Sequence, residues 1–301
     1  MAGNETEQRA LLESTIATAA FAVVAVLVGL AARSQAIVFE GMFSAIEIAM
    51  SLIALFTARL VARESDRRFQ FGYWHIEPMA LAFNGGALVL LCLYGFVDAV
   101  GSLLGGGHET ELGWALAYAA ATTTISVVMF VRLRNANRRT DSQLLGLEAN
   151  AWLLSVVSSS GLLVAFGLAW AGGGTRYAGL TPYIDPIVLA TLSLAFVPVP
   201  LRTLRRAVSE VLLVTPSALD NAVRSAMDRV AEQHGFLDYS SYAAKVGRGR
   251  FIEIHVLVPP EQSLGTVAQV DTVRSEIALA LDAQGPDDWL TVDFTSDRRW
   301  M

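Results

Sequence analysis

Residues 36–50 read Ala36-Ile37-Val38-Phe39-Glu40-Gly41-Met42-Phe43-Ser44-Ala45-Ile46-Glu47-Ile48-Ala49-Met50. The stretch lies inside an apolar run that continues to Val61, and it carries two carboxylates, Glu40 and Glu47. Seven residues at about 100° each come to roughly 700°, so both acids point the same way, two turns apart on one helix face. An ionisable group at such depth costs about 2.5–3.5 kcal/mol on insertion scales, and such groups face a bundle interior or a water-filled path. Two of them on one face read as a cation site.

The rest of the chain supports a membrane setting for that helix. Of 301 residues 53% are hydrophobic and only 17% charged, with a mean hydropathy of +0.47; soluble domains average about 25% charged. The apolar excess collects before about residue 214, which predicts a polytopic membrane protein followed by a soluble tail. A single cysteine, Cys92, excludes a disulfide framework and a cysteine metal cluster. Residues 1–14 are polar and acidic (Glu5, Glu7, Glu13), so no cleavable signal peptide is predicted and a cytoplasmic N-terminal segment is expected.

Six segments are long and apolar enough to span, near 15–33, 36–62, 76–104, 112–132, 146–171 and 184–206. The connections after the second, fourth and sixth are arginine-rich: Arg63, Arg67 and Arg68; Arg132, Arg134, Arg138 and Arg139; Arg202, Arg205 and Arg206. Those after the first, third and fifth hold one arginine or none. The positive-inside rule then places both termini in the cytoplasm, in an inner or plasma membrane. Pro198 and Pro200 should bend or interrupt the sixth span. Asp98 and Asp185 fall near outer span ends and are expected to be solvated or helix-capping, and Ser158-Ser159-Ser160 suits close helix packing.

After Val214 the pattern becomes that of a soluble domain. Thr215-Pro216 reads as a helix start with Thr as N-cap, Leu219, Val223, Met227 and Val230 recur at helical spacing, and Gly235 ends that helix. Residues 236–246 and 250–258 read as a hairpin across Gly247-Arg248-Gly249. Ser263 is the expected cap of a second helix, and a last strand runs from about Trp289 to Phe294. The order αββαβ predicts a small antiparallel sheet with helices on one face, an α+β domain of ferredoxin-like character. The organisation expected is a segment 1–14, a six-span domain 15–210 and a cytoplasmic domain 211–301, joined without a long linker.

Several short motifs fall in one order: Phe71-Gly72-Tyr73 with Glu77-Pro78 opening span three, Ile184-Asp185-Pro186-Ile187 opening span six, Ser209-Glu210-Val211-Leu212-Leu213 leaving it, and Arg250-Phe251-Ile252-Glu253-Ile254-His255-Val256 in the tail. In that order and spacing the chain resembles the cation diffusion facilitator family over nearly its whole length. The resemblance implies a homodimeric secondary transporter, not an enzyme, that moves divalent metals against protons. It further implies four transport ligands, two on span two and two on span five, each pair four residues apart. In this chain those positions fall on Phe43 and Glu47, and on Ala151 and Ser155, of which only Glu47 is a strong ligand. Glu40 and Glu148 stand three residues before the first position of each pair.

The site expected from both readings is Glu40, Glu47 and Glu148, with Asn150 and Ser155. Such an oxygen-only set favours a hard cation such as magnesium or manganese, with iron and zinc unresolved. The competing reading makes Glu40 and Glu148 buried, hydrogen-bonded packing residues. Possible secondary or regulatory positions are His75 and Asp66 near the second connection, and His255 with Asp293 in the tail. For His255 the resemblance implies companions at Tyr239, Gln269, Asp293 and Thr295, a poor set for a binuclear zinc cluster. No cofactor and no nucleic-acid partner are expected; the partners are the lipid bilayer, a second copy of the chain, the metal ion and the proton. The alternatives are a transporter of a non-divalent or organic cation, and a non-transporting membrane sensor or scaffold.

Overall fold

The computed structural model describes residues 2–61, 72–140, 143–173, 175–176, 178–285 and 287–301. Seven helices come first: α1 Ala2–Ala31, α2 Gln35–Val61, α3 Ile76–Leu104, α4 Leu112–Thr140, α5 Gln143–Gly172, α6 Thr181–Phe196 and α7 Pro198–Val211. Then follow α8 Ser217–His234, β1 Asp238–Val246, β2 Gly249–Leu257, α9 Val267–Ala280 and β3 Asp288–Thr295. Among the described residues six segments are long and apolar enough to cross a membrane: Ala10–Ala31, Gln35–Ile53, Ile76–Leu104, Leu112–Arg138, Glu148–Gly172 and Ala178–Val211. Two compact units result, residues 1–53 with 84–202, and residues 54–83 with 203–301.

The first unit is a helix bundle around Ile37, Phe39, Leu91, Cys92, Leu162, Phe166, Leu189 and Leu192. Its outward side chains are also apolar: Leu27, Leu90, Leu154 and Leu168 are all exposed, as suits contact with lipid tails. Helices α1 and α2 approach so closely that a Cβ on Gly41 would sit 2.8 Å from the Val26 backbone nitrogen, and one on Gly29 2.8 Å from Val38 Cγ2. Small residues at such crossings let backbones meet where no hydrophobic force drives association.

The start of α2 is fixed from a distant helix. Asp185 of α6 accepts the Ser34 hydroxyl at 2.5 Å through Oδ1 and the Gln35 backbone N–H at 2.9 Å through Oδ2. An anion there satisfies orphan donors and complements the helix dipole. Asp185 therefore caps, as expected, but at 1% exposure it is buried rather than solvated. The sixth span is interrupted at Val197, as its prolines predict: Pro198 and Pro200 supply no N–H to the preceding turn, and α7 begins at Pro198.

In the second unit β1 and β2 form the expected antiparallel hairpin, with Ser240 opposite His255 and Tyr239 opposite Val256. The expected all-antiparallel sheet is corrected: β3 runs parallel to β2, pairing Asp293 with His255, in a mixed sheet of order β1-β2-β3. The connection from β2 to β3 contains α9, and such a crossover returns the chain in the same direction. Alternation puts Ile252, Ile254 and Val256 on one face, where Val223, Met227 and Val230 of α8 and Ile277 of α9 close the core. Two cap assignments shift. Pro216, not Thr215, is the N-cap of α8, and the Thr215 hydroxyl donates to the Ala243 carbonyl at 2.6 Å. Thr266 and Gln269, not Ser263, form the capping box of α9.

Candidate functional site

Glu40 and Glu47 share a helix face but not an environment. Glu40 is 5% exposed and sealed. The Tyr118 hydroxyl of α4 donates to its Oε2 at 3.1 Å. The Ser158 hydroxyl of α5 divides its proton between Glu40 Oε1 at 3.3 Å and the Ser155 carbonyl at 3.2 Å. Glu47, two turns on, is exposed. Glu148 on α5 is half-buried and lies within electrostatic range of Glu47. Among the described residues no arginine, lysine or histidine pairs with Glu40, Glu47 or Glu148.

Glu47 and Glu148 are thus within electrostatic range of one another, whereas Glu40 has hydrogen-bond partners of its own. Among the described residues no three His, Cys, Asp or Glu side chains converge where a metal ion would fit. Ser155 is half-buried, with its hydroxyl donating back to the Ala151 carbonyl at 3.3 Å, and Asn150 is exposed. Phe43 is built into an aromatic cluster, 5.0 Å from Phe196 and 6.3 Å from Phe39 between ring centres.

Three residues enter the site that the sequence did not announce. Ser14 of α1 donates to Glu148 Oε1 at 2.5 Å, and Trp152 donates its indole N–H to Ser14 Oγ at 2.6 Å. Tyr118 is the third. A serine or tyrosine in an apolar helix carries no periodic signal of its own. Ser158 was a visible candidate only for packing, and it also touches Glu40.

Of the secondary positions, Asp66 lies outside the described residues, and His75 is exposed in the turn before α3. His255 and Asp293 are neighbours across β2 and β3, with Nδ1 3.7 Å from Asp293 Oδ2 and Nε2 3.9 Å from Glu253 Oε1, both beyond a hydrogen bond. Tyr239 pairs with Val256 and so faces the opposite side of the sheet from His255. Its hydroxyl donates to Asp228 Oδ1 at 2.6 Å, and burial together with that carboxylate pushes the phenol up to about 12. Gln269 is committed to the cap of α9.

The cation efflux transmembrane domain matches residues 11–212, two thirds of the chain, from within α1 to the end of α7. The chain belongs to the cation efflux family. It is 23% identical over 126 residues to the magnetosome protein MamB of Magnetospira sp. (strain QH-2), covering 42% of each chain. It is also 23% identical over 227 residues to an uncharacterized transporter of Synechocystis sp., covering 75% of this chain and 71% of that one. Membership of the cation efflux family, with six apolar helices, makes this an integral membrane protein and points to a transporter of metal cations.

Proposed function

We propose that the protein exports a divalent metal cation through a site between α2 and α5 in which Glu47 and Glu148 are the main ligands. One observation carries the reading: two carboxylates without a basic partner among the described residues, one on each of those helices, lie close enough for their charges to interact, inside a cation efflux transmembrane domain. Two like charges in a low-dielectric setting repel, and a divalent cation between them converts that repulsion into attraction. Ser155, and Asn150 from the same helix, are the next oxygen donors within the α5 segment. Glu40, with its hydrogen bonds, serves packing more than ligation.

Carboxylate, hydroxyl and amide oxygens favour magnesium or manganese over zinc. A proton on either carboxylate relieves the same repulsion that the metal relieves, so metal and proton compete for one pair of acids, which is the basis of exchange. We assign residues 15–210 to transport and 211–301 to a cytoplasmic, ferredoxin-like domain that pairs two copies of the chain, with both termini cytoplasmic. His255 with Asp293 is the regulatory position this domain offers.

Calorimetry with manganese, magnesium, iron and zinc on the wild type and Glu47→Ala tests the reading. Binding heat for at least one ion that vanishes in the variant is expected. Equal heats for both proteins with all four ions overturn it. Phe43 and Ala151 at two ligand positions favour a second reading, an organic or monovalent cation. Vesicle uptake of such a cation with indifference to all divalent ions would establish that instead.

A further inference from the structure

Helix α1 takes no part in the site as read from the sequence, yet it reaches Glu148 directly. Ser14 is 0% exposed. Its hydroxyl has one proton to give and two lone pairs to offer. The Trp152 indole N–H occupies a lone pair at 2.6 Å, and the hydroxyl proton goes to Glu148 Oε1 at 2.5 Å. Trp152 is itself 5% exposed and locked in a cluster with Met129 and Leu133 of α4 and Leu145 and Ala149 of α5, against which Leu11 and Ala17 of α1 pack. The chain indole to hydroxyl to carboxylate is thus set by core packing before any cation arrives.

That chain decides how Glu148 can bind. The Ser14 proton takes one lone pair of Oε1 and withdraws charge from that oxygen, which leaves Oε2 the stronger donor toward a cation shared with Glu47. Calcium takes six to eight oxygens and often uses both oxygens of a carboxylate, whereas magnesium keeps a tight octahedron with waters and one or two carboxylates. We propose that Ser14 is a positioning and specificity-determining residue that makes Glu148 a one-oxygen ligand and selects small divalent cations over calcium. The proposal rests on Glu47 and Glu148 being the transport site.

The test is calorimetry on the full chain with manganese and with calcium, for the wild type, Ser14→Ala, Ser14→Thr, Trp152→Phe and Glu47→Ala. Outer hydrogen-bond partners of metal ligands change affinity by about 10–100-fold, so Ser14→Ala should lower the manganese-to-calcium affinity ratio by about tenfold. Trp152→Phe, which removes the indole donor together with part of the ring but leaves the Ser14 hydroxyl in place, should lower it less, and Ser14→Thr, which keeps a hydroxyl, should restore it. A ratio unchanged in both Ser14→Ala and Trp152→Phe overturns the proposal, as does an equal loss in Ser14→Ala and Ser14→Thr, the mark of mere packing. Each of these leaves Glu47-dependent binding in the wild type intact. Its absence there would instead remove the transport site itself, and this proposal with it.

Discussion

Glu40, Glu47, Glu148 and Asp185 of the bundle are treated in the opposite way to the acids of the sheet unit, although Glu13 on α1 does pair with Arg132 at 2.9 Å. In the sheet unit carboxylates meet arginines: Asp288 with Arg250 at 2.6 Å, Asp220 with Arg224 at 2.9 Å, Glu210 with Arg206 at 3.0 Å and Asp297 with Arg299 at 2.6 Å. In the bundle the hydrogen bonds of Glu40, Glu148 and Asp185 come from hydroxyls and backbone N–H groups among the described residues, and Glu47 lies within electrostatic range of Glu148. Hydroxyls satisfy lone pairs without neutralising charge. These four pairs of the sheet unit are closed, whereas Glu47 and Glu148 of the bundle hold negative charge with no countercharge among the described residues.

Supplying the missing countercharge should therefore do the greatest damage to function. Glu47→Lys places a fixed ammonium beside Glu148, as Arg250 stands beside Asp288. We expect metal uptake into proteoliposomes to fall at least about 100-fold, roughly 2.7 kcal/mol, with thermal stability kept. Uptake within a few-fold of wild type would mean that the bundle's open charge is not the transport site. The converse change is Arg250→Ala, which opens a closed pair. Asp288 is 6% exposed and Arg250 32%, and the guanidinium also donates to the Asp282 carbonyl. Breaking a fully buried pair costs about 3–5 kcal/mol, and partial exposure of the arginine brings the expected loss to about 2 kcal/mol. Thermal unfolding should show it, with uptake per folded molecule unchanged at saturating metal.

The difference between the two regions was only partly visible in the sequence. Spans, their turns and the Gly247-Arg248-Gly249 hairpin follow from local composition and period, and these were legible. The direction of β3 was not, because alternation in Trp289–Phe294 fixes a face and not a polarity. Glu40 and Glu47 are alike in helical phase and burial cost. What separates them is Tyr118 and Ser158 on other helices, 78 and 118 residues away in the chain. Of the two expectations for Asp185, solvated or helix-capping, the structure bears out the second, and its partner Ser34, 151 residues away, could not be named from the sequence. Three of the arginine–acid pairs in the sheet unit, Arg206 with Glu210, Arg224 with Asp220 and Arg274 with Asp271, are three or four residues apart, a spacing that a sequence displays.

Within the bundle, Glu40 and Glu47 should then respond differently to substitution. Glu40→Ala leaves the Tyr118 hydroxyl, on a side chain 4% exposed, without its acceptor. An orphaned buried donor costs about 1–2 kcal/mol, read as a lower unfolding temperature in detergent. Glu40→Gln keeps one carbonyl acceptor and should lose less than half of that. Both variants should retain metal binding, unlike Glu47→Ala. Loss of binding with no loss of stability would make Glu40 a ligand after all and merge the two environments.

The smallest effect separates the regions by pH. The Arg250 guanidinium holds the Asp288 carboxyl below the usual carboxylate range, helped by the Gly285 backbone N–H. A group whose folded value is depressed adds stability that is fully present above its unfolded value, about 3.9, and lost as pH falls through the folded one. Asp288→Asn removes the charge but keeps an acceptor, so at neutral pH it should cost about 1 kcal/mol, the difference between a charged and a neutral hydrogen bond. As pH falls below the unfolded value and on through the depressed folded one, that contribution is lost, and the two unfolding temperatures should converge. A gap that persists undiminished into strong acid would show that Asp288 works through shape, and that the closed charge pair is not what stabilises the sheet unit.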